Sequence, residues 1–182
     1  MLHWFRRRAT VSRRAEKLYG SVVTAARHRA LYSDVGVPDT PEGRFELVAL
    51  HLFLALEPIK SDSTAIELSR RTIEAFVTDM DDCMREMGVG DMAVGKKVKR
   101  AAAAFYERAG AYRRALAGQG PDLEANLRDY VLGNVIDDGA RQERAEALAR
   151  YMRAAFAVLA SSDTPFETIV ENGTLDRLLS NH

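Results

Sequence analysis

A single cysteine, Cys83, occurs among 182 residues, so an internal disulfide is excluded and nothing indicates an oxidising compartment. Flanked by Asp82 and Met84, that thiol reads as a small core residue rather than a nucleophile. There are only four histidines, His3, His28, His51 and His182, and none follows a Glu by three residues. The Glu-x-x-His ligand pairs of di-iron bundles and the H-E-x-x-H zinc motif are therefore both missing. P-loop, nucleophile-elbow and dinucleotide fingerprints are absent as well. No segment alternates with the period of a strand, and there are only five prolines to interrupt helices. Long apolar runs are lacking too. The most apolar stretch, Phe45 to Ile59, includes Glu46, His51, Glu57 and Pro58 and falls short of the ~20 residues a spanning helix needs. It reads as a buried core helix of a soluble protein. These absences leave no catalytic, cofactor or metal assignment and point to a chain that works by binding another protein.

Net charge is also lacking, since 26 basic residues balance 26 acidic ones, but the balance is not local. Residues 1–29 carry a net +7, residues 30–95 a net −8, residues 96–114 a net +6 and residues 115–182 a net −5. Basic blocks of this kind meet anionic lipid, RNA or acidic protein, or else pair with the acidic blocks inside the fold. The opening MLHWFRRRATVSRRAEKLYG is Arg-rich like an organellar transit peptide. A core pattern already begins at Ala15, so it reads as an uncleaved basic N-terminus.

What is present is helical periodicity. Ala15, Leu18, Tyr19, Val22, Val23 and Ala26 form an amphipathic stripe. After a Gly/Pro-rich loop over 32–43, Thr40 and Pro41 predict the cap and first turn of a helix ending near Pro58. Thr64 with Glu67 predicts a capping box, opening a helix whose inward face is Ile66, Ile73, Phe76, Val77, Met80, Met84 and Met87. A fourth helix presents Val98, Ala102, Phe105, Ala109, Tyr112 and Leu116. Asp122 caps a fifth carrying Leu123, Leu127, Tyr130 and Val131. A sixth carries Ala145, Leu148, Met152, Ala155, Phe156 and Leu159, and Thr164, Pro165 and Glu167 open a short last one. The expected architecture is all-α, a single compact bundle of six or seven helices, with residues 1–11 a basic N-terminal segment and residues 12–182 one helical domain.

Asp79, Asp82 and Glu86 share a helix face at the spacing of Mg²⁺-binding carboxylates. The second cluster such an enzyme needs is represented only by Asp137 and Asp138 in a turn, and a solvated acidic face is the better reading. His51 reads as a core or groove histidine. Gly88 to Gly95 reads as a tight interhelical turn, followed by Lys96, Lys97, Lys99 and Arg100. Cations opening a helix oppose its macrodipole, which suggests that these four serve an external partner. Trp4 and Phe5 beside Arg6, Arg7 and Arg8 suit an anionic membrane surface.

Three segments carry a family resemblance: LYGSVVTAARHRALYSDVGVPDTPEGRFELVALHLFLAL (18–56), FVTDMDDCMREMGVGDMAVGKKVKRAAAAFYERAGAY (76–112) and, more loosely, LARYMRAAFAVLA (148–160). They resemble the ubiquinol–cytochrome c chaperone family, and MREMGVGDMAVGKKVK is the most specific string. The Ala/Arg-rich composition looks like the bacterial branch. The resemblance implies an assembly chaperone for cytochrome b in complex III rather than an enzyme, peripheral at the cytoplasmic face of the inner membrane, or mitochondrial. Mitochondrial relatives bind newly made apocytochrome b together with a small partner protein and dock near the ribosomal tunnel exit. Two alternatives stand beside it: a basic helical ribosome- or RNA-binding module, and a carboxylate-metal helical enzyme. A long apolar groove would favour the chaperone, a continuous basic face the second, and an enclosed carboxylate-lined cavity the third.

Overall fold

The computed structural model describes residues 2–59, 63–135, 137–161 and 164–180, with side chains from residue 9 onward. Among the described residues the chain is all-α, and no strand occurs. Its helices are α1 (Leu2–Ala26), α2 (Arg29–Ser33), α3 (Pro41–Leu56), α4 (Ser63–Glu86), α5 (Asp91–Leu116), α6 (Leu123–Tyr130), α7 (Asp138–Ser161), α8 (Phe166–Glu171) and α9 (Thr174–Ser180). The six longer ones correspond to those predicted from periodicity. The additions are short: α2 sits at the start of the expected loop, and the C-terminal segment divides into α8 and α9. The helical backbone runs through the basic N-terminal residues without a break.

Local chemistry sets several helix starts. The Thr40 hydroxyl accepts from the Gly43 amide at 3.1 Å, ahead of Pro41 in the first turn. Gly43 has to be glycine, since a Cβ there would lie 2.1 Å from the Pro38 carbonyl oxygen. Asp122 caps α6 through the Ala125 amide at 2.7 Å, and Asp137 accepts from Ala140 at 3.0 Å at the head of α7. Asp137 is thus a cap and no part of a second metal cluster. Two expected caps differ. Helix α4 starts at Ser63, so Thr64 lies inside its first turn, and Glu67 is bonded by Arg70 and Arg71. Helix α8 is preceded by Pro165 without a side-chain cap bond, so Thr164 does not open it.

The chain divides into two units, Met1–Gly20 with Ile59–Glu107 and Ser21–Pro58 with Arg108–His182. In the second unit α3 is the centre, and every residue from Glu46 to Ala55 is buried. Leu47, Leu50, Leu52, Phe53 and Leu54 are each at most 1% exposed, and burying such a side chain contributes about 1.5–3 kcal/mol. Phe53 meets Tyr112 edge-on and stacks on Phe156. Helix α7 packs on α3, α6 and α9. Two polar side chains on α3 are buried with it, and both have partners. Glu46 takes the Arg108 guanidinium at 2.9, 3.1 and 3.2 Å, and Arg108 also lies 4.4 Å over the Tyr130 ring. His51 reaches the Leu47 carbonyl through Nδ1 and the Tyr151 hydroxyl through Nε2, both at 2.8 Å. A carbonyl only accepts, so the proton sits on Nδ1 and the tyrosine donates to Nε2. His51 is therefore a core histidine.

The first unit has a thinner core. Phe76 of α4 joins it, meeting Tyr19 of α1 edge-on and Phe105 of α5 at 5.8 Å. The buried face of α4 is Leu68, Thr72 and Phe76, with Thr72 bonded back to the Leu68 carbonyl at 2.9 Å. The face predicted to point inward is corrected accordingly. Only its Phe76 is buried; Ile66 and Met87 are 62% and 59% exposed, and Ile73, Val77, Met80 and Met84 are half-buried.

The two buried polar groups each carry a stability prediction. Arg108→Met removes the guanidinium that holds the buried Glu46 carboxylate and should cost about 3–5 kcal/mol, while Glu46→Leu combined with Arg108→Met should recover most of it. Urea denaturation of the two variants checks this, and a double variant no more stable than the single one would contradict it. Burial lowers the His51 pKa to about 4. The unfolded chain thus takes up a proton near the ordinary value of 6.5 that the native state refuses, and stability falls as pH drops from 7 toward 4. The loss is bounded at about 3 kcal/mol, and His51→Gln should flatten the slope of stability against pH across that window.

Candidate functional site

Apart from His51, Asp137 and Asp138, the residues singled out in the sequence fall in the first unit. Tyr19 donates its hydroxyl to Asp79 Oδ2 at 2.7 Å, so Asp79 faces the helix packing rather than a solvated acidic surface. Asp82 and Glu86 are exposed. No group of three or more His, Cys, Asp or Glu side chains among the described residues is arranged to hold a metal ion. Cys83 is half-buried on the same helix.

Beside the buried face of α4 runs a second apolar stripe, Ile66, Ile73, Val77, Met80, Met84 and Met87. At 3.6 residues per turn these positions line up along more than five turns. None is buried. The arginines of α4 lie outside this stripe's chemistry because neighbouring acids hold them: Arg70 and Arg71 bond Glu67 and Glu74, and Arg85 bonds Asp81 and, at the head of α5, Asp91. Arg70, ahead of Arg71, pulls the Glu67 carboxyl down to about 2.

Lys96, Lys97, Lys99 and Arg100 are all exposed on α5, and among the described residues none of them is ion-paired. Pairing with the acidic residues of α4 therefore does not account for them. One part of the sequence argument is corrected here. Helix α5 begins at Asp91, so the turn spans only about 87–90, and the four cations lie beyond the first turn, where the macrodipole has faded. Asp91 supplies the acid that a helix N-terminus favours. The placement costs little, and it is exposure without a partner that marks these residues. The side chains of Trp4, Phe5, Arg6, Arg7 and Arg8 lie outside the described residues.

The second unit offers an open pocket of about 210 Å³ between the start of α3 and the end of α6, lined by Glu42, Glu46, Asp129, Tyr130 and Asn134 among others. Arg108 already engages Glu46 there. Burial raises the Tyr112 and Tyr151 hydroxyls well above the ordinary tyrosine value. The Tyr112 hydroxyl is buried and has no hydrogen-bond partner. The sequence pattern marked His51 and Tyr112 as core candidates but gave no sign of the pairings, since the partners of Glu46 and His51 lie 62 and 100 residues away in the chain.

Comparison with known proteins locates the chain. The family model described as ubiquinol-cytochrome C chaperone matches residues 33–169. The crystal structure of the Cbp3 homolog from Brucella abortus is similar over 89% of this chain and 90% of that one, at 34% identity and a TM-score of 0.75. No curated protein matches.

Because no partner among the described residues depends on them, changing Lys96, Lys97, Lys99 and Arg100 together to Gln should alter unfolding free energy by less than about 1 kcal/mol. Thermal unfolding followed by circular dichroism checks this, and a large loss would return the four to a structural role.

Proposed function

The chain belongs to the ubiquinol-cytochrome C chaperone family, and from that membership we propose that it is a non-enzymatic assembly chaperone that holds newly made cytochrome b until complex III takes it up. The observation that carries the reading is the incompletely covered apolar stripe on α4. A membrane subunit awaiting its cofactors and partners exposes apolar helical surface in water, and a helix face of comparable length can shield it without covalent chemistry. Methionine suits this work. Met80, Met84 and Met87 are unbranched and polarisable, so one stripe repacks against different side chains of a client. No helix among the described residues is long and apolar enough to cross a membrane, and the chaperone meets its client from the cytoplasmic face of the inner membrane, beside the ribosome that is making it.

Deleting the gene should lower assembled complex III and its haem-b absorbance while leaving other respiratory complexes intact; unchanged ubiquinol–cytochrome c reductase activity would sink the client assignment. The site has its own test. Ile73→Ser, Val77→Ser and Met84→Gln combined should cut co-purification of cytochrome b at least tenfold, with helical content retained by circular dichroism. Full co-purification in the folded variant would move client binding elsewhere.

A further inference from the structure

The large apolar side chains exposed among the described residues, Ile66, Met87, Met92 and Tyr106, all belong to the first unit. Two of them bracket the turn between α4 and α5: Met87 is 59% exposed and Met92 fully exposed. The turn stands clear of its surroundings. Gly88 takes the left-handed conformation at φ +77°, and a Cβ at Gly88 or Gly90 would meet nothing within 4 Å.

The four cations follow directly. At about 100° per residue, Met92, Lys96, Lys99 and Arg100 share an arc of roughly 100° on α5, with Lys97 beside it. The buried residues Val94, Val98, Ala101 and Phe105 occupy the opposite side. Between Met87 and Arg100 the sole acid is Asp91, and Arg85 holds it. The corner therefore presents two flexible apolar tips next to four cations that no carboxylate of the described chain neutralises.

RNA would use the cations but has no use for exposed methionines, and the nearest exposed aromatic ring, Tyr106, lies six residues past Arg100. An anionic bilayer uses both features: apolar tips pass below the headgroups, while long cationic side chains stay at the level of the phosphates. We propose that the α4–α5 corner docks on an anionic lipid surface, with Met87 and Met92 entering the acyl boundary and Lys96, Lys97, Lys99 and Arg100 meeting the phosphates. This surface shares Met87 with the end of the client stripe and is otherwise distinct from it, and it stands whether or not cytochrome b is the client.

The test is cosedimentation of the full chain with phosphatidylcholine vesicles containing or lacking phosphatidylglycerol, at low and moderate salt. Binding should require the anionic lipid and weaken steeply with salt. Changing Lys96, Lys97, Lys99 and Arg100 to Gln should weaken it by about a hundredfold, and Met87→Ser with Met92→Ser by about tenfold. Insertion has a direct readout: in a Trp4→Phe background, Met92→Trp places a single tryptophan at the corner, and its emission should shift to the blue on anionic vesicles. Circular dichroism confirms that each variant is folded. Three outcomes overturn the proposal: vesicle binding that neither variant changes, a tryptophan emission from the Met92→Trp variant that does not move, or binding to purified ribosomes that is lost in the Gln variant while vesicle binding is not.

Discussion

Helix α3 has no solvent-facing side between Glu46 and Ala55, and that constraint organises the second unit. A helix apolar all round has to be enclosed, and any polar atom it carries into the enclosure has to find a partner there. Glu46 and His51 meet the requirement in different ways. Glu46 keeps its charge and takes an arginine from α5, and that guanidinium is covered in turn by the Tyr130 ring. His51 gives up its charge and is fixed as one tautomer between its own helix and α7. Each pair specifies which helix lies against which face of α3, where leucines alone would tolerate sliding.

The first unit is built to a different standard. Phe76 touches a ring from each of two other helices, but the apolar residues beside it on α4 stay at least partly accessible. Its charges divide in the same manner. The arginines of α4 are spent on Glu67, Glu74 and Asp81 of the same helix and on Asp91 at the head of α5, whereas Lys96, Lys97, Lys99 and Arg100 hold no acid among the described residues. Surface ion pairs of this kind contribute little to stability. Their effect is to leave α4 with an almost neutral flank around its apolar stripe.

Local signals were legible in the sequence and non-local ones were not. Thr40 and Asp122 were readable as caps because a cap is decided within four residues. The stripe from Ala15 to Ala26 on α1 was readable because one face there is plainly more apolar than the rest. Helix α4 misled because its partly exposed stripe, Ile66 through Met87, is more hydrophobic than the face it buries, which includes Thr72 and turns Asp79 toward Tyr19. Hydrophobicity ranks faces but does not say which one a neighbouring helix will cover. The start of α5 was placed late because Gly95 looks like a breaker, although a helix with Asp91 in its first turn accommodates it. The pairs around α3 join residues far apart in sequence and leave no local trace. Lys96, Lys97, Lys99 and Arg100 were identifiable as a group, but the reason for their interest changed from helix electrostatics to unneutralised exposure.

A surface made of methionine has a chemical liability that one made of leucine does not. Four of the six methionines, Met80, Met84, Met87 and Met92, lie in one accessible run, whereas Met152 is sealed in the core of the second unit. Peroxide reaches the first group and not the last. Conversion to the sulfoxide would turn each of these soft apolar side chains into a strong hydrogen-bond acceptor while leaving the buried core of the second unit untouched. Oxidation would thus strike adhesion before stability, and a reductase acting on the sulfoxides would restore it without refolding.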